Sequence, residues 1–145
     1  MHTRDIERFI ARDRVCRLTF QGVFSSDTLP RNPRLLICNT DPSHKPGKHW
    51  IAIHVDQYGR GEYFDSFGRP PDNRFEQYMN EHCTYWTFNN KQLQSLVSSF
   101  CGNYCCFYCV FRSRGVNMTR IVSQFTRDTA FNDSIVHAFV CNKDV

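Results

Sequence analysis

From Cys101 to Arg114 the only helix-breaking residue is Gly102, and Gly115 follows at once as a stop. That punctuation predicts a helix whose first turn carries Cys101. Along it, Cys101, Cys105 and Cys109 fall at i, i+4 and i+8, on one slowly drifting stripe. Cys105, Cys106 and Cys109 read as small apolar side chains suited to an interior helix packed against strands. The chain has 145 residues, which fits a single domain (residues 1–145) with one substantial core.

The strands such a helix needs stand upstream. "RLLICNT" (Arg34–Thr40) is short and apolar, and "DPSHKPGK" (Asp41–Lys48) breaks the chain with two prolines and a glycine. "HWIAIHVD" (His49–Asp56) and "EYFDSF" (Glu62–Phe67) flank the turn residues "QYGRG" and must pair antiparallel, because the connection is too short for a crossover. "TYWTFN" (Thr84–Asn89) is rich in strand formers. Ile6, Phe9 and Ile10 share one helical face, predicting a helix over about Thr3–Arg12. Asp72 or Asn73 can cap another that runs to about Glu81. Further helices are expected near Thr119–Thr126 and Phe131–Cys141, whereas "FQGVFSSDTLPRNP" (Phe20–Pro33) reads as a loop. The order gives an α+β domain in which a central helix packs on a mostly antiparallel sheet.

Composition narrows the function classes. The formal charge of +4 is carried by scattered basic residues, which permits weak DNA contact without requiring it. No apolar run reaches the roughly 18–20 residues of a membrane span. The charged N-terminus "MHTRDIERFIARDR" is unlike a signal peptide. An intracellular setting with reduced thiols is therefore the expectation. Cys106 and Cys109 have zinc-knuckle spacing, but no second pair or His-x-x-x-His follows, so no metal is expected.

Cys101 differs from its neighbours because of its position. Unpaired N–H groups and the partial positive charge at a helix start favour a thiolate and lower a cysteine pKa. Gly102 leaves the approach of a substrate carbonyl unobstructed. A nucleophilic cysteine also needs a base and a group that orients the base. Hairpin geometry brings His49, at the start of one strand, to the same end of the ribbon as Asp65, near the end of the next. Asp65 would then hold the imidazole tautomer and stabilise its cationic form. The Cys101 backbone N–H is a natural oxyanion donor, and a side-chain amide from Gln92 or Gln94 could supply a second. His54 points to the strand face opposite His49 and is a poor alternative base.

Together, "HW" at His49–Trp50, "YFDSFG" at Tyr63–Gly68, Gln94 seven positions before Cys101, and "CGNYCC" resemble the adenovirus-type cysteine endopeptidases. These share a clan with the SUMO-deconjugating proteases. The stretch from Ile37 to Pro71 is closer still to the protease of Maverick/Polinton DNA transposons. The resemblance implies Cys101 as nucleophile, His49 as base, Asp65 as orienting acid and Gln94 as oxyanion donor, with Trp50 packed beside the site. It implies cleavage at glycine-containing sites in capsid or other element-encoded proteins. The setting it implies is host cytoplasm or nucleus, or a virion. It further implies activation by DNA and by a short peptide joined through a disulfide; Cys83, 18 residues before Cys101, stands where that family places the cysteine. No cofactor is required by the chemistry. The alternatives are an isopeptidase for a ubiquitin-like modifier and a catalytically idle binding module.

Overall fold

In a computed structural model describing residues 1–45 and 49–142, five strands and five α-helices form one α+β unit. The elements run α1 (Thr3–Ala11), β1 (Gly22–Phe24), β2 (Leu35–Asn39), β3 (Trp50–Val55), β4 (Arg60–Phe64), α2 (Asn73–His82), β5 (Tyr85–Phe88), α3 (Cys101–Arg112), α4 (Met118–Val122) and α5 (Thr129–Asn142), with a short 3₁₀ turn over Cys16–Leu18. Residues 46–48, the end of the expected Asp41–Lys48 break, lie outside the described residues, as do 143–145.

The strands lie in chain order, β1-β2-β3-β4-β5. The three central strands pair antiparallel, while β1 joins β2 and β5 joins β4 in parallel. The edge strand β1 falls inside the segment read as a loop. It has three residues, too few to show an alternation, and its partner Leu36 lies 14 positions from Gly22, so nothing local announces it.

The β3–β4 turn closes earlier than "QYGRG" suggests. The Asp56 carboxylate accepts from the backbone N–H groups of Tyr58 and Arg60, each at 2.9 Å, and Gly59 takes φ +79°, which a side chain disfavours. Arg60 and Gly61 are thereby recruited into β4. The strand ends at Phe64 and leaves Asp65 on the turn beyond it.

Alternation of β3 sorts two cores. Trp50 and Ala52 face α3 together with Leu35, Ile37 and Phe64. Ile51, Ile53 and Val55 face α2 with Leu36, Tyr63 and Phe75. Helix α2 starts at Asp72, whose carboxylate accepts from Phe75 N–H at 3.1 Å.

Helix α3 is buried from Gly102 to Val110, flanked by α1, α4 and α5 on its side of the sheet. Cys105, Cys106 and Cys109 are buried, and burial raises all three thiol pKa values. Two tyrosines anchor the helix. Tyr108 stacks on Phe64 with centroids 4.8 Å apart and donates to Glu62; Tyr104 donates to Asp133 at 2.7 Å. Such partners matter because an unsatisfied buried hydroxyl costs about 1–3 kcal/mol. No helix among the described residues is long and apolar enough to cross a membrane, and no group of three or more His, Cys, Asp or Glu among them is placed to hold a metal ion.

Candidate active site

The β3–β4 register pairs Ala52 with Phe64 and Ile53 with Tyr63. Continued by three steps, it sets His49 opposite Phe67 and makes Asp65 a diagonal neighbour. The rings of His49 and Phe67 stack with centroids 4.7 Å apart, and His49 Nε2 lies 2.6 Å from Asp65 Oδ1. With Nε2 engaged, Nδ1 is the nitrogen left for Cys101, which lines the same cleft and whose interaction with the ring raises His49. The hairpin thus brings together the two residues that were expected to meet.

Asp65 is fixed more firmly than its sequence position suggests. Its Oδ1 also accepts from Phe67 N–H at 2.8 Å. Asn89 brackets its backbone, accepting from Asp65 N–H at 2.8 Å and donating to its carbonyl at 2.6 Å. The turn closes with Gly68 at φ +71°, where an added Cβ would stand 2.5 Å from the Lys91 carbonyl carbon. Only glycine fits there. This close approach docks the Asp65–Gly68 turn on the segment that carries Gln94, since Ser66 O accepts from the N–H groups of Leu93 and Gln94.

Gln94 is fully buried, yet it lines the cleft of about 880 Å³ that also contains His49 and Cys101. Its Oε1 accepts from Ser66 Oγ at 2.6 Å, while Nε2 donates to Ser98 O at 3.0 Å and Ser98 Oγ at 3.1 Å. Ser66 therefore fixes which end of the amide faces the loop before Cys101. Gln92 instead donates to the Gln94 carbonyl and is absent from the cleft lining. Geometry separates two glutamines that spacing left equivalent. On the expectation from the sequence that Gln94 is an oxyanion donor, its replacement with alanine should lower kcat about 10²–10³-fold; steady-state peptide turnover measures it. Ser66→Ala, which frees the amide to rotate, should give a smaller loss in the same direction.

Helix α3 begins without a capping side chain, because Phe100 stands at the N-cap. Ser, Thr, Asp or Asn is usual there. The helix start is left to the Cys101 sulfur, whose anion the backbone N–H groups of Trp50 and Gly102 favour. Burial opposes ionisation of Cys101, but His49 and these N–H groups outweigh it and lower the thiol pKa. Burial likewise pulls His49 down, and its interactions with Asp65 and Cys101 reverse this, raising it to about 9. Opposite movements of the two groups favour a thiolate–imidazolium pair.

The remaining candidate residues have different surroundings. His54 faces α3, accepts from Arg112 Nε at 3.1 Å, and is driven down to about 4 by burial and that guanidinium. Gly102 does not open on the cleft: a Cβ there would meet Met1 Cβ at 3.0 Å and Trp50 Cδ1 at 3.3 Å. Trp50 Nε1 donates to the Met1 carbonyl at 3.0 Å, so Trp50 contributes both a wall and a backbone donor. Cys83 closes α2 on the opposite face of the sheet, packed on Gly61, with its thiol pKa raised by burial. All eight cysteines are unbridged. Ser66, Asn89, Ser98 and Met1 also contribute, and no sequence motif singled them out.

This arrangement is a cysteine-protease fold. No protein-family model matches the sequence. The chain is 32% identical over 122 residues to a cysteine protease of African swine fever virus, covering 76% of this chain and 45% of that protein. A second isolate's protein, called a SUMO-1 cysteine protease, is 31% identical over the same coverage. A crystal structure of the African swine fever virus protease superposes with TM-score 0.60 at 23% identity, spanning 94% of this chain and 66% of that one. ChlaDub1 from Chlamydia trachomatis shares the fold, with TM-score 0.57 and 18% identity over 79% of this chain and 61% of its own. The chain spans about half the length of the curated relatives it matches.

Proposed function

We propose that this chain is a cysteine endopeptidase that cleaves proteins at glycine-containing sites, in the maturation of proteins encoded by a virus or virus-like DNA transposon. One observation carries the reading: Asp65 holds Nε2 of His49 at 2.6 Å, in the cleft that His49 shares with Cys101, the thiol whose pKa His49 lowers.

In this mechanism the Cys101 thiolate adds to the scissile carbonyl carbon, and the carbonyl π electrons move to oxygen. The Cys101 N–H and Gln94 Nε2 stabilise that oxyanion, the latter releasing Ser98. Collapse breaks the C–N bond as Nδ1 of the His49 imidazolium protonates the leaving amine, leaving a thioester. Neutral His49 then takes a proton from water, whose oxygen attacks the thioester, and the thiolate is expelled.

A second reading, release of a ubiquitin-like modifier, is favoured by the name of one relative, a SUMO-1 cysteine protease. Incubation with glycine-containing capsid-type peptides and with ubiquitin-like precursors separates the two. Parallel reactions with and without DNA test activation, and Cys83→Ser tests whether an activating peptide acts through a mixed disulfide. Equal iodoacetamide labelling of all eight cysteines would favour the idle module.

The pKa directions also fix a pH profile. Hydrolysis should rise as the depressed Cys101 thiol ionises and fall as His49 loses its proton near pH 9. Above that pH the leaving amine lacks its acid, but the thiolate persists. Alkylation of Cys101 should therefore stay high where kcat/KM declines.

A further inference from the structure

We infer that the groove leading to Cys101 is built for an acidic substrate segment, read by Arg4 and Arg8 on α1; this rests on the peptidase reading above. The cleft that holds Cys101 and His49 continues along α1, and both arginines line it. Neither has an ion pair or hydrogen bond among the described residues.

Arg4 sits in the first turn of α1, where the helix dipole disfavours a cation, while Arg8, in the last turn, is favoured by it but lies four residues from a like charge. Asp5 is the sole carboxylate among the described lining residues, and it is turned back to accept from His2 N–H at 2.7 Å. Behind the wall, Asp27 is occupied by Ser43, through its N–H at 2.8 Å and its hydroxyl at 2.6 Å. The cleft that holds Cys101 therefore presents the two guanidinium groups, together with Lys45, without a free carboxylate among its described lining residues.

Helix α1 is also anchored at that point. Met1 packs on Gly102, and its carbonyl accepts from Trp50 Nε1 at 3.0 Å. The α1 arginines thus keep a fixed relation to Cys101. Four helical residues advance about 6 Å, and two residues of an extended peptide advance about 6.6 Å with side chains on the same face. Arg4 and Arg8 therefore match Asp or Glu side chains at alternate positions of one extended strand.

The experiment compares fluorogenic glycine-containing peptides carrying Asp-x-Asp, Ala-x-Ala or Lys-x-Lys at successive offsets from the scissile bond. At one offset, Asp-x-Asp should raise kcat/KM about three- to ten-fold over Ala-x-Ala, and the gain should shrink in high salt. Arg4→Glu with Arg8→Glu should transfer the preference to Lys-x-Lys; Arg4→Gln with Arg8→Gln, a milder change, should erase it. Iodoacetamide labelling of Cys101 checks that each variant keeps an assembled site.

Fluorescence anisotropy with Cys101→Ala measures binding apart from chemistry. Peptides cut equally well whatever their charge would overturn the acidic groove and leave the peptidase standing. No cleavage by wild type, with Arg-dependent tighter binding of Asp-x-Asp to Cys101→Ala, would overturn the peptidase and leave the groove. Arg-dependent binding of an oligonucleotide without any peptide charge preference would assign these arginines to nucleic acid and overturn the inference.

Discussion

Alanine at Cys101 is expected to lower peptide hydrolysis by roughly 10⁴–10⁶-fold, the range seen when a nucleophile is removed from an assembled catalytic group. The fold should survive. Cys101 is half-buried in the first turn of α3, and the residues that anchor the helix, Tyr104 and Tyr108, lie deeper. A thermal midpoint within a few degrees of wild type would establish that. The substitution also removes the anion that helps hold the proton on His49, so the imidazole should titrate below about 9 in the variant. NMR of the His49 ring reads this directly. Substantial turnover by a folded Cys101→Ala variant would assign the chemistry elsewhere, and the exposed Cys141, 3.8 Å from His137 Nε2, would be the first thiol to replace next. Cys105, Cys106 and Cys109 are buried with raised pKa values, and Cys83 lies across the sheet.

The contrast between Cys101 and its neighbours was legible because it depends on local rules. A helix start, a following glycine and three small apolar residues at helical spacing all fall within one short stretch. The meeting of His49 with Asp65 was legible for a related reason: a tight hairpin leaves few registers, and each brings the two strand ends together. What stayed hidden depends on contacts between distant segments. Ser66 is an incidental part of "YFDSFG" until the turn docks on Lys91–Gln94. Asn89 follows a strand whose parallel pairing with β4 has no hairpin to announce it. Met1 reaches Trp50 across 49 positions. One further signal is local: Phe100 directly before Cys101 leaves the helix without a capping oxygen, which suits a helix start that is to receive a sulfur anion.

At Asp65, asparagine is expected to be far less damaging than alanine, and the reason lies in which oxygen is used. Oδ1 accepts from both His49 Nε2 and Phe67 N–H. An asparagine must place its carbonyl oxygen there, because its NH₂ group would confront the Phe67 donor. The hydrogen bond that fixes the imidazole tautomer is then kept, and only the charge is lost. Asp65→Asn should reduce kcat about 10–10²-fold, whereas Asp65→Ala, which releases the ring, should approach the roughly 10⁴-fold loss associated with a misplaced tautomer in the Ser-His-Asp triad. Because the carboxylate is one of the groups that raise His49, the alkaline limb of the pH–rate profile should move to lower pH in Asp65→Asn. The two measurements test one geometry: equal losses from Asn and Ala, in variants of unchanged stability, would mean that Phe67 N–H does not decide the amide's orientation, while an unmoved alkaline limb would mean that Asp65 does not hold the proton on His49.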